Sequence, residues 1–168
     1  MASGWQKGLQ RIAAITPISW LLARTLHYLD RPLLRLSHGR LSLAGLLTGL
    51  PVVMLTTTGS KTGQPRTTPL AGIVDGEYVV LVASYFGSAH HPAWYYNLRA
   101  HPQAEVTVAG RTRAYLAREV CGDEYDRYWQ RAIQIYAGYA AYRERVQRHI
   151  PILLLSPWHD ESSRTRLS

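Results

Sequence analysis

The sequence predicts a mainly-β domain with added helices: a small closed or partly closed barrel of six strands, preceded by an N-terminal amphipathic helix. Three observations predict it. Six segments rich in β-branched and apolar residues follow one another from residue 51 onward, several joined by short glycine-containing turns. Helical segments are inserted between these strands but do not alternate with them one by one, as a doubly wound sheet requires. A chain of 168 residues, 46% hydrophobic and 18% charged, is the length of one domain and rich enough in apolar residues to bury a core.

Residues 1–40 form the first unit. "ISWLLARTLHYLDRPLLRLSH" sets Trp20, Leu21, Thr25, Tyr28 and Leu29 near one helical face, with Arg24, Arg31 and Arg35 elsewhere and a break near Pro32. Such a basic amphipathic helix either packs on its own domain or lies on an anionic membrane surface. Pro17 interrupts the apolar stretch and no small-residue cleavage site follows, so no signal peptide is predicted. Leu41 to Ser60 carries no charge over twenty residues, which reaches spanning length. Gly45, Gly49, Pro51 and the threonines argue instead for a loop entering a buried strand.

The second unit is residues 41–158. "PVVMLTTTG" is a strand, and "PRTTPLAGIVDGEYVVLVAS" a hairpin turning at Asp75-Gly76. "HPAWYYNLRAHP" is a short helix with Pro92 in its first turn and Pro102 beyond its end. "AEVTVAGRTRAYLAREV" is a second hairpin, turning at Ala109-Gly110. "GDEYDRYWQRAIQIYAGYAAYRERVQRH" is helical from a cap near Asp123. Its Tyr125, Tyr128, Trp129, Ala132 and Tyr136 lie at helical spacing. "IPILLLSP" is a last buried strand, and residues 159–168 are expected to fray.

Charge narrows the partners. The net charge is +8 and the pI about 9.9, which favours an anionic partner. No acidic residue lies between Asp30 and Asp75, or between Glu77 and Glu105. No nucleic-acid motif accompanies the basic residues. The single cysteine, Cys121, permits no intrachain disulfide and suits a reducing compartment. The expected location is therefore the cytoplasm, with peripheral contact at the inner face of the membrane if the first helix binds lipid.

Three clusters carry the chemistry. "TTTGSKTGQPRTTPL", residues 56–70, holds six threonines and one of only two lysines, with no acid. Gly59 and Gly63 allow close backbone approach, Lys61 and Arg66 supply charge, and Thr58, Ser60 and Thr62 supply hydroxyls. The set suits an oxyanion, or is a plain decorated turn; it is not a Walker loop. The second cluster, "VASYFGSAHHPAWYYNL", has Ser84 at a strand end and Trp94 at a helix start, a wall for a planar ring. His90 and His91 lack metal-ligand spacing, so no metal is predicted. In "YAGYAAY", Tyr136, Tyr139 and Tyr142 share about 120° of a helical face. Small neighbours leave these phenols standing proud, as a pocket wall rather than core; the alternative is a tyrosine-rich core stripe.

In register, "LTTTGSKTGQPRTTPL", "HPAWYYNLRAHP", "IYAGYAAY" and "RHIPILLLSP" resemble the deazaflavin-dependent nitroreductase family of actinobacterial oxidoreductases, which use reduced coenzyme F420. The resemblance implies a split β-barrel of the FMN-binding type. It implies that Thr56, Thr58, Ser60, Lys61, Thr62, Gly63, Gln64, Pro65 and Arg66 hold the phosphate and oligoglutamate tail. Val82, Ala83, Ser84, Tyr85, Trp94 and Asn97 complete the expected cofactor site. Ser84, Tyr136, Tyr139 and Tyr142 are the expected catalytic set on the substrate side, where a tyrosine hydroxyl assists hydride transfer to a quinone, an activated enone or a nitroaromatic. The family often has arginine where this chain has Ser60, and "YPGY" where it has Tyr136-Ala137-Gly138-Tyr139. Without that proline the helix is expected to run on. The competing readings are an FMN-dependent reductase on the same barrel and a non-catalytic carrier of the deazaflavin. The oligomeric state does not follow from the sequence.

Overall fold

The structure, a computed structural model, describes residues 51–158. The predicted N-terminal helix, the 1–40 unit and the 159–168 tail lie outside the described residues. Seven strands run β1 (Val52–Thr58), β2 (Pro65–Ala71), β3 (Ile73–Asp75), β4 (Tyr78–Val82), β5 (Gln103–Val108), β6 (Arg111–Glu119) and β7 (Ile152–Pro157). Three helices, α1 (Ala93–Ala100), α2 (Gly122–Ile135) and α3 (Gly138–Arg145), are inserted between them.

The strands form one antiparallel sheet in the order β2-β1-β5-β6-β7-β4-β3. β2 and β3 are its two edges, yet only Gly72 separates them in the chain. A flat sheet cannot satisfy both facts, so the sheet curls until its edges meet. The expectation of six strands is corrected here. The second predicted strand bends at Gly72, where a Cβ would stand 3.1 Å from both methyls of Val53, and its two halves pair at opposite edges.

The turns follow local chemistry. Ala109 and Gly110 both have positive φ, 49° and 79°, as a two-residue loop of the right hand requires, and Val108 pairs with Arg111. In the β3–β4 hairpin Asp75 pairs with Tyr78, so the loop is Gly76-Glu77, one residue beyond the expected position. Gly76, at φ 62°, supplies the positive backbone angle.

Two cores face opposite sides of β4 and β7. Val79, Leu81, Leu153 and Leu155 point into the barrel with Val53, Leu55, Val106 and the α1 residues Trp94, Tyr95 and Leu98. Val80, Ile152 and Leu154 point outward, under Tyr125, Tyr128, Trp129 and Ala132 of α2 and the three tyrosines that follow. Burial on both faces explains why "YVVLV" and "ILLL" are continuous apolar runs while β1 alternates.

Two helical expectations change. Asp123 does not cap α2: the N-cap is Cys121, without a side-chain cap. Arg118 of β6 instead grips Glu124 of the first turn through two 2.7 Å bonds, which holds the Glu124 carboxyl below its usual range. The helix also does not run on through residue 136. Tyr136 is extended (φ −140°, ψ 103°) and separates α2 from α3. Its ring folds back over Gly138, so the break needs no proline.

Candidate functional site

The loop between β1 and β2 is a closed unit. Gly59 N–H donates to Gln64 O (2.9 Å), while Thr62 N–H and Gly63 N–H donate to Gly59 O. Ser60 N–H donates to Asn97 Oδ1 (3.0 Å), and Gln64 N–H to Thr62 Oγ1 (3.4 Å). The N–H groups of Gly59, Ser60, Thr62, Gly63 and Gln64 are therefore committed within the protein. What the loop offers outward is side chains: Ser60, Lys61, Thr62, Gln64 and Arg66 are exposed. A Cβ at Gly59 would stand 2.8 Å from Thr62 Oγ1 and 3.1 Å from Gln64 O, so this tight return requires glycine. Gly63 takes φ 66° and Pro65 begins β2.

Thr56 and Thr58 lie on the half-exposed outer face of β1, where Thr56 bonds Thr67 at 2.9 Å. Glu105 of β5 sits directly across from Thr56. The acid-free stretch of sequence is thus interrupted in space at its strand end, and the loop proper carries the positive character. Thr57, absent from the sequence-based set, is the inward residue. It is 2% exposed and accepts from Asn97 Nδ2 at 3.0 Å. Both ends of the Asn97 amide are engaged, so Asn97 fixes the loop to α1. The alternation of β1 could have marked Thr57 as inward.

The second cluster divides. Ala83 and Trp94 are core residues of the barrel, Val82 is half-buried, Ser84 is 7% exposed and Tyr85 is 44% exposed. After β4 the chain makes a left-handed turn: φ is 46° at Tyr85, 55° at Phe86 and 75° at Gly87. Such a conformation costs about 1–2 kcal/mol at each non-glycine residue. Strain of this kind is retained only where surroundings over-determine it. Arg148, unmarked in the sequence-based set although inside a quoted motif, donates to Ala83 O, Ser84 O and Ser88 O around this turn.

The third cluster is buried, not proud. Tyr136, Tyr139 and Tyr142 are 3%, 5% and 3% exposed within the outer core. The small neighbours let α3 close on the sheet rather than lifting the phenols. Tyr136 and Tyr142 share a 3.0 Å hydroxyl–hydroxyl bond, and Tyr139 stands edge-on to both rings. Burial raises the pKa of all three, with the neighbouring phenols adding to it at Tyr139 and Tyr142. These hydroxyls stay protonated at any physiological pH. One of the two hydroxyl hydrogens lies in the Tyr136–Tyr142 bond.

The clusters meet through specific contacts. Asn97 joins the basic loop to α1. Phe86 stands edge-on to Tyr142 at 6.4 Å, and a Cβ on Gly87 would lie 3.4 Å from the Tyr142 ring. A separate open cavity of about 420 Å³ is lined by Glu119, Cys121, Tyr125, Asp126 and His149, and by none of the predicted site residues. No helix among the described residues is long and apolar enough to cross a membrane.

The family model for F420H(2)-dependent quinone reductases matches residues 33–157. The chain belongs to that family. An F420H(2)-dependent quinone reductase of Mycobacterium tuberculosis is 38% identical over 109 residues, 63% of this chain and 73% of the relative. A solved F420-H2 dependent reductase superposes with a TM-score of 0.59 at 34% identity, covering 63% of this chain and 94% of its own. A solved domain-swapped dimer superposes at 0.61 and 30% identity, over 84% of this chain and all of the other. For this F420H(2)-dependent quinone reductase family member the cofactor is coenzyme F420 rather than FMN, and the activity is oxidoreduction. The donor set fits the cofactor's anionic tail: one lysine, one arginine and exposed hydroxyls on a loop without a carboxylate.

Proposed function

We propose that the chain reduces a quinone at a site between the 59–66 loop, the 82–88 turn and the start of α3, with these residues in defined roles. The observations that carry the reading are two contacts between segments distant in sequence. Asn97 bonds the basic loop, and Phe86 of the strained turn packs on Tyr142 of the hydroxyl pair. Lys61 and Arg66 hold the anionic tail, with Ser60 and Thr62 donating hydrogen bonds. Ser84 and Tyr85 flank the ring, and the flanking backbone keeps water from it. Reduced F420, when bound, supplies a hydride. The Tyr136–Tyr142 pair donates a hydrogen bond to the acceptor oxygen as negative charge develops there. Their raised pKa values make them donors of a hydrogen bond rather than of a proton.

Activated enones and nitroaromatics are further acceptors, because each gathers negative charge on an oxygen that the same donor can meet. The test is oxidation of reduced F420 by menadione, followed by loss of the reduced form, with cofactor binding measured separately by fluorescence. Tyr136→Phe and Tyr142→Phe should bind F420 as the parent does and lose turnover; removal of an oxyanion donor costs about 10²–10³ in rate. Wild-type rates in both variants would make the phenols packing alone.

The basic amphipathic sequence of residues 1–40 supports peripheral binding to an anionic membrane, where lipid-soluble quinones reside. The full chain should sediment with anionic vesicles at low salt and release at high salt. Equal sedimentation with neutral vesicles would refute the electrostatic contact.

A further inference from the structure

We infer that Arg148 is a positioning residue for quinone reduction: its guanidinium holds the left-handed turn at 83–88, and turnover depends on that hold. The inference rests on the placement of Ser84 and Tyr85 beside the cofactor proposed above. A guanidinium has five N–H donors, and here five bonds are made. Nε donates to Ser88 O (2.9 Å), and Nη2 to Ala83 O (3.2 Å) and Ser84 O (2.9 Å). Nη1 donates to His149 O (3.1 Å) and His91 Nδ1 (3.0 Å). None of these acceptors is a carboxylate. The side chain reaches both sides of the turn, Ala83 and Ser84 before it and Ser88 after it.

Between those ends lie three successive residues with positive φ, two of them Tyr85 and Phe86. Inside the turn, Gly87 N–H bonds Ser84 O and Ser88 N–H bonds Tyr85 O. A turn of either hand can make such bonds, so they do not select the strained hand. The guanidinium does, because its planar fork fixes the three carbonyls relative to one another. Through Phe86, which packs on Tyr142, the same hold reaches the hydroxyl pair.

The fifth bond makes the clamp sensitive to pH. Arginine only donates, so His91 Nδ1 accepts and His91 is neutral with its proton on Nε2. Arg148, Glu119, His149 and Arg99 act on His91 electrostatically, and the Tyr95 and Tyr96 rings pack against it. Burial first, then the charge of Arg148, holds the His91 pKa below 6.5. The contact is therefore complete above about pH 6.5 and is lost as pH falls through the depressed value.

The experiment compares Arg148→Gln, Arg148→Lys and His91→Gln with the parent. It measures amide hydrogen exchange at Gly87 and Ser88, His91 titration by NMR, and single-turnover oxidation of reduced F420 by menadione. Arg148→Gln should speed exchange at both amides, raise the His91 pKa and slow turnover about ten- to a hundredfold, as small misplacements of reacting groups do. Arg148→Lys should not restore the rate, because an ammonium cannot fork across three carbonyls. In the parent, protection at Gly87 and Ser88, corrected for intrinsic exchange, should fall as pH drops through the depressed His91 pKa; in His91→Gln that acid-side loss of protection should disappear. This holds the proposal to account even if both Arg148 variants fail to fold. Parental exchange in the folded Arg148 variants, or faster exchange with parental turnover, overturns it. So does an unchanged acid-side loss of protection in His91→Gln. A parent protein that fails to oxidise reduced F420 refutes the functional reading instead, and the exchange data still decide the clamp.

Discussion

Gly138 shows how a single missing side chain shapes the site. A Cβ there would overlap the phenol ring of Tyr136, which lies against the glycine and reaches the Tyr142 hydroxyl. Gly138→Ala should displace that ring and break the hydroxyl pair. Overpacking of this kind costs about 1–3 kcal/mol, to be read as a lower denaturation midpoint alongside slower quinone reduction. An alanine variant with parental midpoint and rate would show that the ring can move without consequence. Lys61 and Arg66 present the opposite case. Both are exposed, so replacing either by alanine should leave the midpoint within about 0.5 kcal/mol. F420 affinity should fall about tenfold or more, as loss of a hydrogen bond to a charged group does. Added salt should weaken the parent more than either variant, because the variants have less charge to screen. A fluorescence titration at two salt concentrations measures both effects, and unchanged dissociation constants would remove the loop from the tail site.

Elements carry the next level, and here the link between α1 and the β1–β2 loop is decisive. Asn97→Ala would leave Ser60 N–H without its partner and strip the buried Thr57 hydroxyl of its 3.0 Å donor, leaving it only the 3.4 Å bond to Arg66 O. A buried polar group stripped of its bond costs about 1–3 kcal/mol. The variant should therefore lose stability and F420 affinity together, unlike the Lys61 and Arg66 variants, and parallel melting and binding measurements separate the two patterns. Much of this level was legible in the sequence. β1 shows its period of two, α2 its buried Tyr125, Tyr128, Trp129 and Ala132, and the β5–β6 turn its Ala109-Gly110. The rest was hidden for physical reasons. The end of α2 at Tyr136 depends on a ring folding over Gly138, which no local propensity encodes. Ala137, Ala140 and Ala141 favour a helix, and a lone Gly138 does not by itself end one. Trp94 at the start of α1 resembled a ring wall because amphipathic spacing does not say which element covers the apolar face; the barrel interior does. Arg148 bonds residues 57 to 65 positions away, a separation no motif spacing reveals.

At the scale of the whole molecule, curling of the sheet decides where the candidate site can form. β1, which leads into the basic loop, and β4, which leads into the strained turn, lie on opposite sides of the sheet order, separated by β5, β6 and β7. In a flat sheet the two would be four strand spacings apart, about 19 Å. Curling brings their inward faces into one core, where Val53 and Leu55 meet Leu81 and Ala83. The joint is Gly72, whose N–H donates to Pro51 O at 3.1 Å. A Cβ at this position would stand 3.1 Å from both Val53 methyls and 3.4 Å from Leu81 Cδ2. Val53 and Leu81 are fully buried, so neither can retreat into solvent. Gly72→Ala should accordingly strain the joint and destabilise the domain by about 1–3 kcal/mol. The effect belongs to the closed sheet rather than to either edge strand, so the loss should appear as one cooperative transition at lower temperature. At temperatures where the variant is still folded, its F420 affinity should approach the parent's, since the joint touches none of the side chains proposed to bind the tail. Calorimetry checks the first statement and fluorescence titration the second. A melting temperature unchanged by the methyl group would mean that the two edges do not need glycine to meet.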